Sequence, residues 1–270
     1  VMDLRDSIEY LNRNGKVVEG EYKDCGDMDI IVITAGAPPK PGQSRVDLLE
    51  LSANICKSIV EPIMESGFEG IFIAISNPVD MIAQYIYELS GLPKNQVLGT
   101  GTAIDSARLK NFIAQLVEVD PRSVHAYSMG EHGDSQMVPW STVTVGGKPF
   151  YDVIQDNKET LGEVDLEELV HQTTRKGWEI LNRKGTTYYG IATACAGIIQ
   201  AILNDENRIV PVSTLLEGEY GENGVFAGVP VVLNRHGVSD VLEIHMSPGE
   251  LARFKESVDF IRKNLVKREK

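Results

Sequence analysis

Positive charge, paired cysteines and long apolar runs are all scarce in this chain. Of 270 residues, 26 are basic and 39 acidic, a net charge of −13. That balance excludes the cationic face a nucleic-acid backbone demands, and any anionic ligand must be held by a few local arginines. The three cysteines, Cys25, Cys56 and Cys195, lie far apart and form no Cys-x-x-Cys pair. Neither a disulfide framework nor a zinc or other metal site is expected, and a reducing cytoplasm fits best. No apolar run nears the roughly 18 residues of a membrane helix, and no signal peptide is visible, so no membrane partner is expected. Internal repeats and low-complexity segments are lacking too. What is present, 42% hydrophobic residues, can bury a large core in one large domain or two modest ones.

The runs Asp29–Thr34 and Ile71–Ser76 are short, apolar and bounded by Gly or Pro, as expected of parallel strands covered on both faces. Between them Val46–Met64 carries Leu48, Leu49, Ala53, Ile55, Ile59 and Ile63 at helical spacing, and Val79–Leu89 offers a second helix after Pro78. Strand and helix alternating in this way predict a doubly wound α/β sheet. After Gly99 the texture changes. A helix over about Ala103–Val119 is followed by a hairpin, Ser141–Val145 turning through Gly146-Gly147. A second hairpin joins Val225–Leu233 to Val238–Ile244. Gly190–Leu203 is apolar nearly all round and predicts a buried helix at the seam between halves. Leu251, Phe254, Val258, Ile261 and Leu265 mark an amphipathic final helix. The expected division is 1–99 as a doubly wound α/β unit and 100–270 as an α+β unit. The chain opens at Val1-Met2-Asp3-Leu4, which reads as mid-element, and a preceding segment is expected.

The stretch Met129-Gly130-Glu131-His132-Gly133-Asp134-Ser135 sets one histidine between glycines just after the alternating run Ser123–Tyr127. An imidazole titrates near working pH and suits proton transfer at a strand end. Upstream, Asp105 and Arg108 are three apart on a predicted helix and share a face. A carboxylate that orients the imidazole and a guanidinium that holds an anion could together serve oxidation or reduction of a small keto or hydroxy acid. Taken singly, each has a plainer alternative: a turn histidine, or an Asp–Arg surface pair, which is the commoner reading of that spacing. Gly36 at one strand end lets backbone approach a phosphate or ribose, and Asn77 ends the next strand; strand termination and Asn-Pro turn chemistry explain them equally well.

Six motifs, in order along nearly the whole chain, resemble the L-lactate dehydrogenases of the lactate/malate dehydrogenase superfamily. They are Ile33-Thr34-Ala35-Gly36-Ala37; Lys40-Pro41-Gly42 with Arg45; Ser76-Asn77-Pro78-Val79-Asp80; Gly99-Thr100-Gly101-Thr102 with Asp105 and Arg108; Gly130-Glu131-His132-Gly133-Asp134; and Lys184-Gly185-Thr186-Thr187-Tyr188-Tyr189. The resemblance implies a Rossmann-type sheet followed by an α+β substrate domain: 1–99 as a dinucleotide-binding domain incomplete at its start, and 100–270 as a substrate/catalytic domain. It implies NAD-dependent interconversion of pyruvate and L-lactate in a cytoplasmic homotetramer. It implies His132 as acid/base, Asp105 as its orienting carboxylate, and Arg108 as a bidentate clamp on the substrate carboxylate. Arg45, after a proline-stiffened segment suited to a closing lid, would polarise the substrate carbonyl. Asn77, Thr187 and Pro39 would line the substrate pocket, and Ala35, Gly36, Asn54 and Asn77 would face the cofactor.

The chain also departs from that family. The Gly-x-Gly-x-x-Gly fingerprint and the acidic residue that selects NAD over NADP are not among these residues; NAD is implied by the resemblance. Pro39 stands where lactate-specific relatives carry glutamine and malate-specific ones arginine. The missing guanidinium disfavours a second substrate carboxylate, whereas the missing glutamine leaves room for larger side chains. His125 matches a fructose 1,6-bisphosphate contact of allosteric relatives, with Lys110 in place of its arginine partner; a strand histidine and a solvated helix lysine are the alternative. Malate or L-2-hydroxyisocaproate oxidation stays open, as does a non-catalytic derivative or headless fragment of the fold.

Overall fold

Stiff β-branched runs and helical repeats alternate from Ile30 onward, and the chain folds accordingly. The computed structural model describes residues 1–10, 14–36 and 45–265, with the side chains of its second helix from Leu49 onward. In chain order the elements are α1 (Met2–Asp6), β1 (Ile30–Ile33), α2 (Arg45–Glu65), β2 (Ile71–Ala74), α3 (Val79–Ser90), β3 (Val97–Gly99) and α4 (Ala103–Leu116). There follow β4 (Val124–His125), β5 (Thr144–Val145), β6 (Lys148–Pro149), α5 (Phe150–Asp156), α6 (Lys158–Leu161), α7 (Leu166–Lys184) and α8 (Tyr189–Leu203). The chain continues through β7 (Arg208–Glu217), β8 (Asn223–Asn234), β9 (Gly237–Val241) and α9 (Pro248–Asn264).

The expected parallel core is present: β1, β2 and β3 pair side by side in parallel. The sheet does not stop there. Gly99 of β3 faces Ser213 of β7 in an antiparallel pairing, and β7, β8 and β9 extend it to six strands in the order β1-β2-β3-β7-β8-β9. One sheet therefore runs across residue 99, and the long second hairpin belongs to it. A separate small sheet, β4-β5-β6, holds the first hairpin, whose turn residues Gly146 and Gly147 both have positive φ, the backbone of a tight two-residue connection.

Two expectations about burial are corrected. β2 is fully buried, but in β1 only Ile33 is, because β1 is an edge strand among the described residues. In α8, Cys195, Ile198, Ala201 and Ile202 are buried, while Tyr189 is 81% and Leu203 59% exposed. One face of α8 packs on β8 and α4 and the remainder faces outward, so an all-round apolar composition overstated its burial within one chain.

The main core lies against the six-stranded sheet. It brings Leu49 and Val60 of α2, Phe72 and Ile73 of β2, Ile82 and Ile86 of α3, Val229 and Val231 of β8, and Phe254 and Val258 of α9 together. Each such side chain, removed from water, contributes about 1.5–3 kcal/mol. A second cluster, Leu109, Ile113, Trp140 and Phe150, seats α4 on the small sheet, with the Trp140 and Phe150 rings stacked at 5.7 Å. α4 thus presents its first turn to the large sheet and its later turns to the small one. No helix of the described residues is long and apolar enough to cross a membrane.

Candidate functional site

The loop that carries His132 is pinned at both ends before the imidazole is placed. Met129 and Met137 exchange backbone hydrogen bonds at 2.8 and 2.9 Å, and Gly130 does the same with Gly228 of β8 at 2.9 and 2.8 Å. Gly130 has φ +89°, and a Cβ there would stand 2.3 Å from the Ser257 hydroxyl of α9, so only glycine lets the loop lie this close. That hydroxyl accepts the Glu131 N–H at 2.8 Å. The buried Glu131 carboxylate in turn accepts the N–H and hydroxyl of Ser135 at 3.1 and 2.6 Å. The result is a closed turn whose tip is His132.

α4 brings the other groups. Asp105, 1% exposed, accepts the His132 Nδ1–H at 2.5 Å with Oδ2 and the Arg108 guanidinium at 3.1 Å with Oδ1. Burial alone would raise the Asp105 pKa, but His132 and Arg108 outweigh it and hold the carboxyl below its ordinary value. For His132 burial likewise opposes charge. The Asp105 carboxylate, aided by Asp80, overcomes this and the repulsion of Arg108, and its pKa is raised. Nδ1 being engaged, Nε2 is the nitrogen that can meet a substrate oxygen, and the imidazole side chain is 22% exposed. Arg108 spends one of five N–H donors on Asp105. The rest of its fork lies towards α7, where a Cβ on Gly177 would come within 3.5 Å of the guanidinium.

Two strand ends carry the residues expected to meet a cofactor. Ala35 and Gly36, after β1, are exposed, as is Asn77 after β2. The Ser76 hydroxyl donates to the Ala35 carbonyl at 2.6 Å and ties the two ends into one rim. An exposed backbone without a Cβ beside an exposed amide is the donor set that a ribose or nicotinamide end requires, so these residues fit a dinucleotide. Asn54 is exposed on α2, and Thr187 is partly buried between α7 and α8; among the described residues neither hydrogen-bonds to His132. α8, which follows Thr187, does reach α4, because a Cβ on Gly190 would press on Ile104 at 2.8 Å. Pro39 lies outside the described residues, as does the side chain of Arg45, which begins α2.

His125 is exposed on β4, and Lys110 on α4 sits over the Tyr127 ring at 5.6 Å. Burial, and then the nearby charge of Arg208, lower the Lys110 pKa. Arg208 was missed in the sequence because it lies about a hundred residues away on β7. Also missed was Asp80, whose carboxylate accepts the His132 backbone N–H at 2.8 Å. Its signal was present, in the run Asn77-Pro78-Val79-Asp80, but only Asn77 was given a task there. No group of three or more histidine, cysteine or acidic residues able to hold a metal occurs among the described residues.

Comparison with known proteins identifies the family. Residues 1–99 match the NAD binding domain of lactate/malate dehydrogenases, and residues 102–270 match the alpha/beta C-terminal domain of the same family. The chain is 52% identical over 261 residues to L-lactate dehydrogenase 3 of Bacillus anthracis, covering 97% of this chain and 83% of that one. It is 47% identical over 257 residues to an L-lactate dehydrogenase of Lactococcus lactis subsp. cremoris, covering 95% and 82%. Among solved structures, the minor L-lactate dehydrogenase from Enterococcus mundtii in its ligands-bound form superposes with a TM-score of 0.95 at 42% identity, over 99% of this chain and 86% of that one. With both family models matched across residues 1–99 and 102–270 and relatives about half identical over nearly the whole chain, the chain belongs to the lactate/malate dehydrogenase family.

Proposed function

We propose that this chain is an NAD-dependent L-2-hydroxy acid dehydrogenase that interconverts pyruvate and L-lactate. The observation that carries the reading is the shared carboxylate: Asp105 binds His132 with one oxygen and Arg108 with the other. NAD, when bound, accepts or supplies the hydride at the substrate's second carbon. In pyruvate reduction His132 donates a proton from Nε2 to the oxygen that gains charge, and Asp105 stabilises the imidazolium beforehand. In lactate oxidation the same nitrogen takes the hydroxyl proton. Arg108 holds the substrate carboxylate, Arg45 polarises the carbonyl, and Thr187, Pro39 and Asn77 shape the pocket. Ala35, Gly36, Asn54 and Asn77 face the cofactor, so that the working division falls near residue 99, with the cofactor side before it and the acid/base side after it.

The named relatives are L-lactate dehydrogenases, which favours pyruvate over oxaloacetate. We further propose a cytoplasmic homotetramer, an assembly that would cover the outward apolar face of α8. Fructose 1,6-bisphosphate is proposed as an effector at His125 and Lys110, supported by the charge that Arg208 adds beside Lys110. The test compares specificity constants for pyruvate, 2-ketoisocaproate and oxaloacetate with NADH, in the parent chain and in His132→Ala. Pyruvate should be preferred and the variant inactive but folded. Preference for 2-ketoisocaproate or oxaloacetate would reassign the substrate, and turnover by the variant would remove the mechanism.

A further inference from the structure

Asp80 is a buried carboxylate to which the mechanism above gives no task. It is the second residue of α3 and 2% exposed. Oδ2 accepts the backbone N–H of His132, 52 residues away in sequence, at 2.8 Å. Oδ1 and the neighbouring Ser213 hydroxyl of β7 are both buried, with a contact between them too loose for a well-formed hydrogen bond yet one that favours the ionised carboxylate. A carboxylate is costly to bury with so few well-formed hydrogen bonds, and a neutral side chain could fill the same space. An ionisable group kept under those terms, against a catalytic loop, points to use of its charge.

We propose that Asp80 is a positioning residue of the reaction, holding the His132 loop through its backbone and placing a second negative charge beside the imidazole that Asp105 already serves. The proposal rests on His132 being the acid/base. Asp105 steers the ring from α4, and Asp80 secures the peptide from α3. Because Asp80 is three residues after Asn77, the turn that would meet the nicotinamide ribose and the loop that delivers the proton are joined through one carboxylate. The charged and titratable groups involved are few. Facing His132 are Asp105 and Arg108 of α4 and Asp80 of α3. Facing Asp80 are His132 and Glu131 of the loop and the Ser213 hydroxyl of β7. Burial pushes the Asp80 carboxyl up to about 6, with Ser213 and His132 restraining it and Glu131 adding to it. It is therefore mostly ionised at pH 7 and above, where pyruvate reduction needs His132 to keep its proton.

The test is Asp80→Asn, which keeps an oxygen for the His132 N–H and removes the charge. The pH profile of kcat/KM for pyruvate reduction should keep its plateau at low pH, while its alkaline fall moves about one unit lower, a tenfold loss on that limb. NADH affinity, read by fluorescence, should change less than about twofold, since the charge acts on the proton donor. Ser213→Ala, a gentler change, removes the hydroxyl that helps ionise Asp80 and should move the limb the same way by less. A residue that merely supported the fold would lower the melting temperature and leave the limb in place. An unmoved limb in folded Asp80→Asn, or in Ser213→Ala if the first variant fails to fold, overturns the proposal. A His132→Ala enzyme that still turns over would instead remove the reading beneath it.

Discussion

Asp105 serves two cations with two oxygens, so Asp105→Asn removes the charge that stabilises the imidazolium and also loosens Arg108. Pyruvate reduction should fall by about 10²–10⁴ in kcat, a loss of the size seen when an orienting carboxylate is neutralised. The variant should also betray itself in stability. The Asp105 pKa is lowered in the fold, so its contribution is present above its ordinary 3.8 and is lost as pH falls through the depressed value. The His132 pKa is raised, so its contribution is full below 6.5 and is lost as pH rises through the folded value. The gap in melting temperature between parent and variant should therefore be widest between about pH 4 and 6.5. Thermal denaturation across pH 3–9 would show it, and a gap that does not vary with pH would count against the ion pair.

Among the elements, the His132 loop is the most tightly specified. Gly130→Ala sets a methyl group against the Ser257 hydroxyl and forces a positive φ on a residue with a Cβ. Stability should drop by about 1–3 kcal/mol in urea titration, and kcat should fall with it because His132 moves off Asp105. A fully active, equally stable variant would show that the turn is not held as described. The sequence made much of this element level legible. Unbroken apolar runs marked β1 and β2, and helical spacing marked α2, α3 and α9, because both patterns are local. His132, Asp105 and Arg108 were legible through motif context rather than spacing, since an Asp–Arg pair three apart is ordinary on any helix. What stayed hidden depends on distant partners. The charge of Arg208 on β7 acts on Lys110 of α4, Ser257 of α9 fills the space under Gly130, and Asp80 reaches the His132 loop from α3. α7 was legible too, since Leu166, Leu169, Val170, Ile180 and Leu181 recur at helical spacing and the first three pack against the second core cluster, yet the motifs take in only its end at Lys184-Gly185.

At the scale of the whole molecule, composition foretold a change of texture after Gly99, and the texture does change. Sheet continuity across that point was not legible, because it rests on a single pairing, Gly99 with Ser213, between segments over a hundred residues apart. The outward side of α8, with Tyr189 and Leu203 exposed, leads to an expected native mass several times that of one chain by sedimentation. A monomer of unaltered activity at micromolar concentration would remove the tetramer from the proposal.

The Gly99–Ser213 seam also governs how the protein comes apart. Strands from both family halves share one slab, and α3 packs on β7 and β8 as well as on β2 and β3, so neither half keeps a finished interior once the other melts. Calorimetry should record one endotherm rather than two. A protease nick near residue 100 should leave no independently surviving fragment, however readily the sequence suggests a place to cut.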